Sequence, residues 1–265
     1  MKQVQFDYEN ADELKKQLIN IQKICKDIPH AKLLFHILSD EPDSEYIWLI
    51  CDVIDRELPD AMYVGCSTRG NIMNGSYNQQ GIVITCTIYE YETTAIKVFQ
   101  HEVVGFDIDK LNDVIAKEIH SVQDAKSAEI LLTASTISEK KLLRNYRRDL
   151  SDVKIYGGGA LNVDVNTMNT MVFSKGNNAT YGGMVFVVVG GADYNVNLIR
   201  VVGWKPLGKR FAITKSENNK LIELDNQPAF KAYSRYLNVE NDEYFAKNTY
   251  EFPLLTQTRT GDFRL

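Results

Sequence analysis

One succession of elements is written twice into this chain of 265 residues, and that duplication narrows its possible folds more than any other feature. Asn10 can cap a helix, with Glu13 three residues on as a variant capping box. Leu14, Leu18, Ile21, Cys25 and Ile28 then recur at spacings of 4, 3, 4 and 3, which draws one apolar stripe before Pro29 closes the run. The run from Lys32 to Leu38 predicts a buried strand. Ser44 or Asp43 caps a second helix with Ile47, Ile50, Cys51, Ile54 and Leu58 inward, and Pro59 stops it. Ala61-Met62-Tyr63-Val64 predicts a strand that runs into a glycine turn, Gly65-Cys66-Ser67-Thr68-Arg69-Gly70. β-Branched and aromatic residues over 81–89 and 94–104 predict two further strands.

The order then recurs. A helix over 110–122 leads to a strand over 128–133. Ser138 caps a helix with Leu142, Leu143, Tyr146 and Leu150 inward, and Val153-Lys154-Ile155-Tyr156 is a strand ending in Gly157-Gly158-Gly159-Ala160. Strands over 170–174, 182–189 and 196–202 complete the second pass. Residue identity between the halves is poor, so the repeat is one of architecture. Such units predict a mixed α/β fold: two similar halves, about 1–105 and 106–225, with mixed, largely antiparallel sheets flanked by helices. A partial third region follows. Residues 210–215 and 221–224 predict a hairpin about Asn218-Asn219, and Pro228 opens a helix through Leu237 with Ala229, Tyr233 and Leu237 inward. A last strand is expected over 252–256. The final residues read as the middle of an element, so the chain is expected to be a fragment.

Composition removes several classes of function. The charge sum, 30 − 35 = −5, argues against gripping nucleic acid or an anionic membrane through bulk charge. No apolar run reaches membrane-spanning length, and the amino-terminal residues lack a signal-peptide core. The four cysteines (Cys25, Cys51, Cys66, Cys86) form no CxxC pair, and the four histidines show no metal-ligand spacing. A reduced cytoplasmic protein without metal or cofactor is expected.

The turn Gly65–Gly70 is the foremost candidate site, because α/β proteins bind ligands at the carboxyl ends of strands. Ser67, Thr68 and free amides there can hold a carboxylate or similar anion; alternatively, glycine only permits a sharp exit from the strand. Cys66 invites a thiol nucleophile, which needs a base or cation that sequence cannot place beside it. Gly157–Gly159 lacks the spacing of a dinucleotide fingerprint and the Lys-Ser/Thr of a phosphate loop, so no nucleotide site is expected. Trp204 reads as a pocket wall or as turn packing. Asp52, Asp55, Glu57 and Asp60 read as a solvated helix face, and Lys140, Lys141, Arg144, Arg147 and Arg148 as a solvated or protein-docking stripe.

Four motifs carry a family resemblance. They are Val64-Gly65-Cys66-Ser67-Thr68-x-Gly70, Tyr156-Gly157-Gly158-Gly159-Ala160, Gly203-Trp204-x-Pro206-Leu207-Gly208, and Thr214 followed by Leu221-Ile222-Glu223-Leu224-Asp225-Asn226-x-Pro228-Ala229. In this order they resemble the FIST family (F-box and intracellular signal transduction proteins). The likeness covers the amino-terminal FIST module from about Ala31 to Asp225. It enters the carboxy-terminal module over 226–265, where Phe252-Pro253-Leu254 is similar to an early motif. Asn226 departs from the glycine more usual there. The resemblance implies a sensory input module that binds a small polar ligand, amino acids among the candidates, and signals to an output such as a histidine kinase or diguanylate cyclase. It brings no catalytic set. It implies Gly65, Cys66, Ser67, Thr68, Gly158, Gly159 and Trp204 as candidate ligand-binding residues, a downstream output as partner, and a possible homodimer. A pocket built between the modules would lack one wall here. The competing readings are an enzyme with Cys66 as nucleophile and a docking module without a small ligand.

Overall fold

The 4-3-4-3 stripe after Asn10 yields the helix it predicts. In α1 (Ala11–Cys25) the Asn10 carboxamide accepts from the amides of Asp12 and Glu13, both at 3.0 Å, and Leu14, Leu18 and Ile21 are buried. A cap of this kind contributes about 1 kcal/mol. Asp43, not Ser44, caps α2 (Ser44–Glu57), accepting from Glu45 N at 2.9 Å, and Ile47, Ile50, Cys51, Val53 and Ile54 face inward. Asp107 caps α3 (Ile108–His120), which buries Leu111, Ile115 and Ile119.

The computed structural model describes residues 1–40, 43–103, 107–133, 150–162, 169–199, 210–217, 220–249, 252–257 and 263–264. They divide into two units, Met1–Leu198 and Ile199–Leu265. The strands of the first unit are β1 (Lys2–Asp7), β2 (Lys32–Ser39), β3 (Met62–Ser67), β4 (Asn71–Met73), β5 (Ser76–Asn78), β6 (Ile82–Tyr89), β7 (Ala95–Glu102), β8 (Ala125–Thr133), β9 (Lys154–Ala160), β10 (Val172–Ser174) and β11 (Gly183–Gly190).

Among the described residues, one sheet has the order β1-β6-β2-β3-β10 and a second the order β7-β11-β8-β9. The two share a topology. In the first, β1 runs antiparallel to β6, β6 antiparallel to β2, and β2 parallel to β3. In the second, β7 runs antiparallel to β11, β11 antiparallel to β8, and β8 parallel to β9. The duplication is therefore real at the level of strand pairing. Its period begins with a strand: β1 was not expected from the sequence, and β7, expected to end the first half, opens the second.

The sheets stack face to face. Leu34, Val64, Cys66 and Tyr89 of the first meet Leu131, Val185, Val187 and Val189 of the second in one apolar layer. α1 and α2 cover the outer face of the first sheet through Phe35, Ile37, Ile84 and Phe173, and α3 covers the second through Ala128, Ile130, Phe186 and Val188. The order is helices, sheet, sheet, helix. β10 breaks the symmetry, because it comes from the second half yet pairs antiparallel with β3, Val172 opposite Cys66. Beyond it, Lys175 Nζ reaches the Ala61 carbonyl at 2.7 Å, Asp55 Oδ1 at 3.1 Å and the Pro59 carbonyl. Tyr63 donates to Asp55 Oδ2 at 2.9 Å, so Asp55 is a tie between elements and not part of a solvated face.

No strand forms over 196–199. In the second unit, β12 (Ile213–Glu217), β13 (Lys220–Leu224) and β14 (Gln227–Pro228) make a small antiparallel sheet. α4 (Phe230–Leu237) starts after Pro228, which pairs opposite Glu223, and Tyr233 packs edge-on against Phe245 of α5 (Phe245–Thr249). The expected strand over 252–256 shortens to a pairing of β15 (Thr256–Gln257) with β16 (Phe263–Arg264). Asn218-Asn219, the helix expected after Ser138, its basic stripe and the 203–208 segment lie outside the described residues.

Candidate functional site

The two glycine segments are strand, not turn. Gly65, Cys66 and Ser67 belong to β3, and Gly157, Gly158 and Gly159 to β9. Gly65 lies opposite Ile37, and a side chain there would sit 2.2 Å from the Phe173 ring and 2.3 Å from the Ile37 carbonyl oxygen. Its counterpart Gly157, opposite Ile130, has φ +141° and would meet the Ile130 carbonyl oxygen at 1.9 Å. At both places a parallel neighbour's carbonyl approaches too closely for any Cβ, which is the physical reason for glycine.

The anion-holding amides expected at the first segment are already committed. Ser67 N donates to the Met171 carbonyl at 2.9 Å and Thr68 N to the Ser39 carbonyl at 2.7 Å. Ser67 is fully buried, and its hydroxyl accepts from Met171 N at 2.9 Å. Thr68 Oγ1 turns onto the Gly70 carbonyl at 2.8 Å. Cys66 is 6% exposed, and burial, reinforced by the Glu129 carboxylate, pushes its thiol up to about 12. The Cys66 thiol is thus protonated at neutral pH.

What the segments do share is a meeting point. Leu161 N, just past β9, donates to the Ser67 carbonyl at the end of β3 at 3.0 Å, so the carboxyl ends of the two equivalent strands join. Aligning Ile37 with Ile130 makes His36 of β2 equivalent to Glu129 of β8. These two face each other across the inter-sheet layer with His36 Nε2 and Glu129 Oε2 2.9 Å apart, 21% and 20% exposed. The contact with His36 is made through Glu129 Oε2, and the Glu129 side chain as a whole is one-fifth exposed.

Aromatic hydroxyls surround the pair. Tyr156 lies opposite Glu129 in the β8–β9 register. Tyr194 OH is 3.2 Å from Ser127 Oγ, and its ring meets that of Tyr89 edge-on with centroids 6.0 Å apart. The hydroxyls of Tyr89 and Tyr156 are both held above the ordinary tyrosine range, by burial first and then by neighbours that include Glu129. One step along β9 from Tyr156, Gly158 has nothing within 4 Å of where a Cβ would sit. Gly159 is exposed on the opposite face of β9. Trp204 lies outside the described residues. His36 and Glu129 were not candidate ligand residues from the sequence; the available signal was an ionisable residue inside each of two apolar runs, Leu33–Leu38 and Ala128–Leu132.

Among the described residues no cluster of three or more His, Cys, Asp or Glu side chains is placed to hold a metal ion, and no helix is long and apolar enough to cross a membrane.

Two face-to-face sheets of shared topology, bridged by the hydrogen-bonded His36–Glu129 pair, define a duplicated αββα module with this polar pair in the inter-sheet layer. Residues 33–227 match the FIST N domain, and the chain belongs to this family of signal-transduction modules. It is also similar to the uncharacterized protein MJ1623 of Methanocaldococcus jannaschii, 26% identical over 223 residues. That match takes in 82% of this chain and 43% of the relative, so the chain spans less than half the relative's length. No solved structure matches.

Proposed function

We propose that this chain is a sensory input module that binds a small polar ligand at the His36–Glu129 pair and passes a conformational bias to an output region. We read residues 226–265 as the start of the family's carboxy-terminal module. One observation carries the reading: the hydrogen-bonded His36–Glu129 pair, each side chain about one-fifth exposed, bridges the two sheets within a largely apolar layer. Apolar residues at both positions would hold the sheets together at least as well. A polar pair that can still be reached from solvent is what a ligand needs. Because one residue comes from each sheet, a ligand that prefers one spacing of the sheets shifts the population of that state.

A thermal-shift panel of amino acids, short peptides and other small polar metabolites tests this. Ligand at 100 times its dissociation constant adds about 2.7 kcal/mol, and the shift should be lost in His36→Leu. A panel without a single saturable shift would sink the proposal. The reading with Cys66 as nucleophile is disfavoured by the burial and protonation of that thiol.

A further inference from the structure

The expectation of an anionic ligand rested on free amides at the end of β3, and those amides are used. The field around the polar pair has the opposite preference. Glu129 lies opposite Tyr156, with Tyr89 and Cys66 on the same layer. The ionisation of all three is opposed by burial and also by Glu129. Lys32, on this face of β2, is turned to the carbonyls of Glu92 and Thr94. Lys154, on this face of β9, is exposed.

His36 contacts Glu129 through Oε2, so a second donor would take Oε1. A carboxylate beside aromatic rings suits a cation, since ring faces carry negative quadrupolar potential. The empty side of Gly158 gives the space, on the same face of β9 as Tyr156 and next to it. We infer that the inter-sheet layer takes a small organic cation, an ammonium-bearing metabolite whose charge rests on Glu129 Oε1 beside the ring of Tyr156, while His36 holds Oε2. This rests on the small-ligand reading above and narrows it to one chemical class.

Titration calorimetry and thermal shift on the whole chain decide it, with tetramethylammonium, choline and putrescine as cationic probes, acetate as the anionic control and acetamide as the neutral one. At least one cation is expected to bind saturably while acetate does not. Glu129→Gln should weaken it by about 30-fold or more. Tyr156→Phe should keep it, Tyr156→Ala should weaken it, and Gly158→Val should block it with the His36–Glu129 contact intact. Should Glu129→Gln fail to fold, the Tyr156 and Gly158 variants decide. Acetate or acetamide binding that Gly158→Val abolishes would overturn the cation while leaving a small-ligand site. Silence from the cations when the metabolite panel yields a neutral or anionic hit would do the same, and silence from both panels removes both readings.

Discussion

Replacing Gly65 with alanine would set a methyl carbon 2.2 Å from the Phe173 ring and 2.3 Å from the Ile37 carbonyl oxygen. Ordinary contact there is about 3.4 Å, so something must move by more than about 1 Å. Phe173 is fully buried against α2 and cannot swing into solvent. The Ile37 carbonyl belongs to the β2–β3 pairing, where Ile37 lies opposite Gly65. Overpacking of this kind costs about 1–3 kcal/mol, and a disturbed ladder bond about 1 more. The sum, about 2–4 kcal/mol, lowers the melting temperature by roughly 5–15 °C for a unit of this size. Gly158→Ala supplies the contrast. With nothing within 4 Å and no positive φ, it should be neutral or gain about 0.4–1 kcal/mol through the unfolded chain. Urea denaturation of the two variants beside the parent measures both. A Gly65→Ala protein within about 0.5 kcal/mol of the parent would refute the packing account. The glycine would then need another reason, such as close approach of a ligand.

Ser67→Ala leaves the buried Met171 amide without its 2.9 Å acceptor and should cost about 1–3 kcal/mol by the same denaturation assay. Lys175→Met removes the tie to Asp55 and the Ala61 carbonyl, and an equilibrium unfolding curve should show a loss of about 1–3 kcal/mol. At pH 8 the thiolate fraction of Cys66 falls from about one in ten for a free thiol to about one in ten thousand, so iodoacetamide should label it only after unfolding. Cys66 and Cys86 both have raised folded values, near 12, so the stability they contribute is whole below about pH 9 and is lost as pH rises towards 12. A pH series of melting temperatures checks the direction.

What could be read from the chain was what is local. Asn10 and Asp43 announce helices because a cap acts within three residues, and the α1 stripe needs no partner to be seen. β1 escaped because Lys2–Asp7 buries only Phe6 and is a strand through pairing with β6, some eighty residues away. The glycines of β3 and β9 looked like turns because glycine usually breaks elements. Here Gly65 and Gly157 answer to the carbonyls of Ile37 and Ile130 on neighbouring strands, which no local pattern encodes. The His36–Glu129 pair was least legible: its members stand 93 residues apart and meet only because two sheets stack.

The exchange of β10 has a consequence for folding. The first half supplies Leu34, Val64, Cys66 and Tyr89 to the inter-sheet layer, and the second supplies Leu131, Ala160, Val172, Val185, Val187 and Val189. Neither set can be buried without the other. Among the described residues, the outer edge of β3 is paired by β10, a strand from the second half. A chain ending between β6 and β7 would therefore present an apolar sheet face and an open strand edge, the conditions for aggregation. Residues 1–93 alone should fail to give a soluble, cooperatively folded species, and Met1–Leu198 should melt in a single transition with matching calorimetric and van't Hoff enthalpies. Two resolved transitions within that unit would mean that the sheets fold independently. The pair between them would then be a surface contact, too weak to couple a bound ligand to the arrangement of the halves.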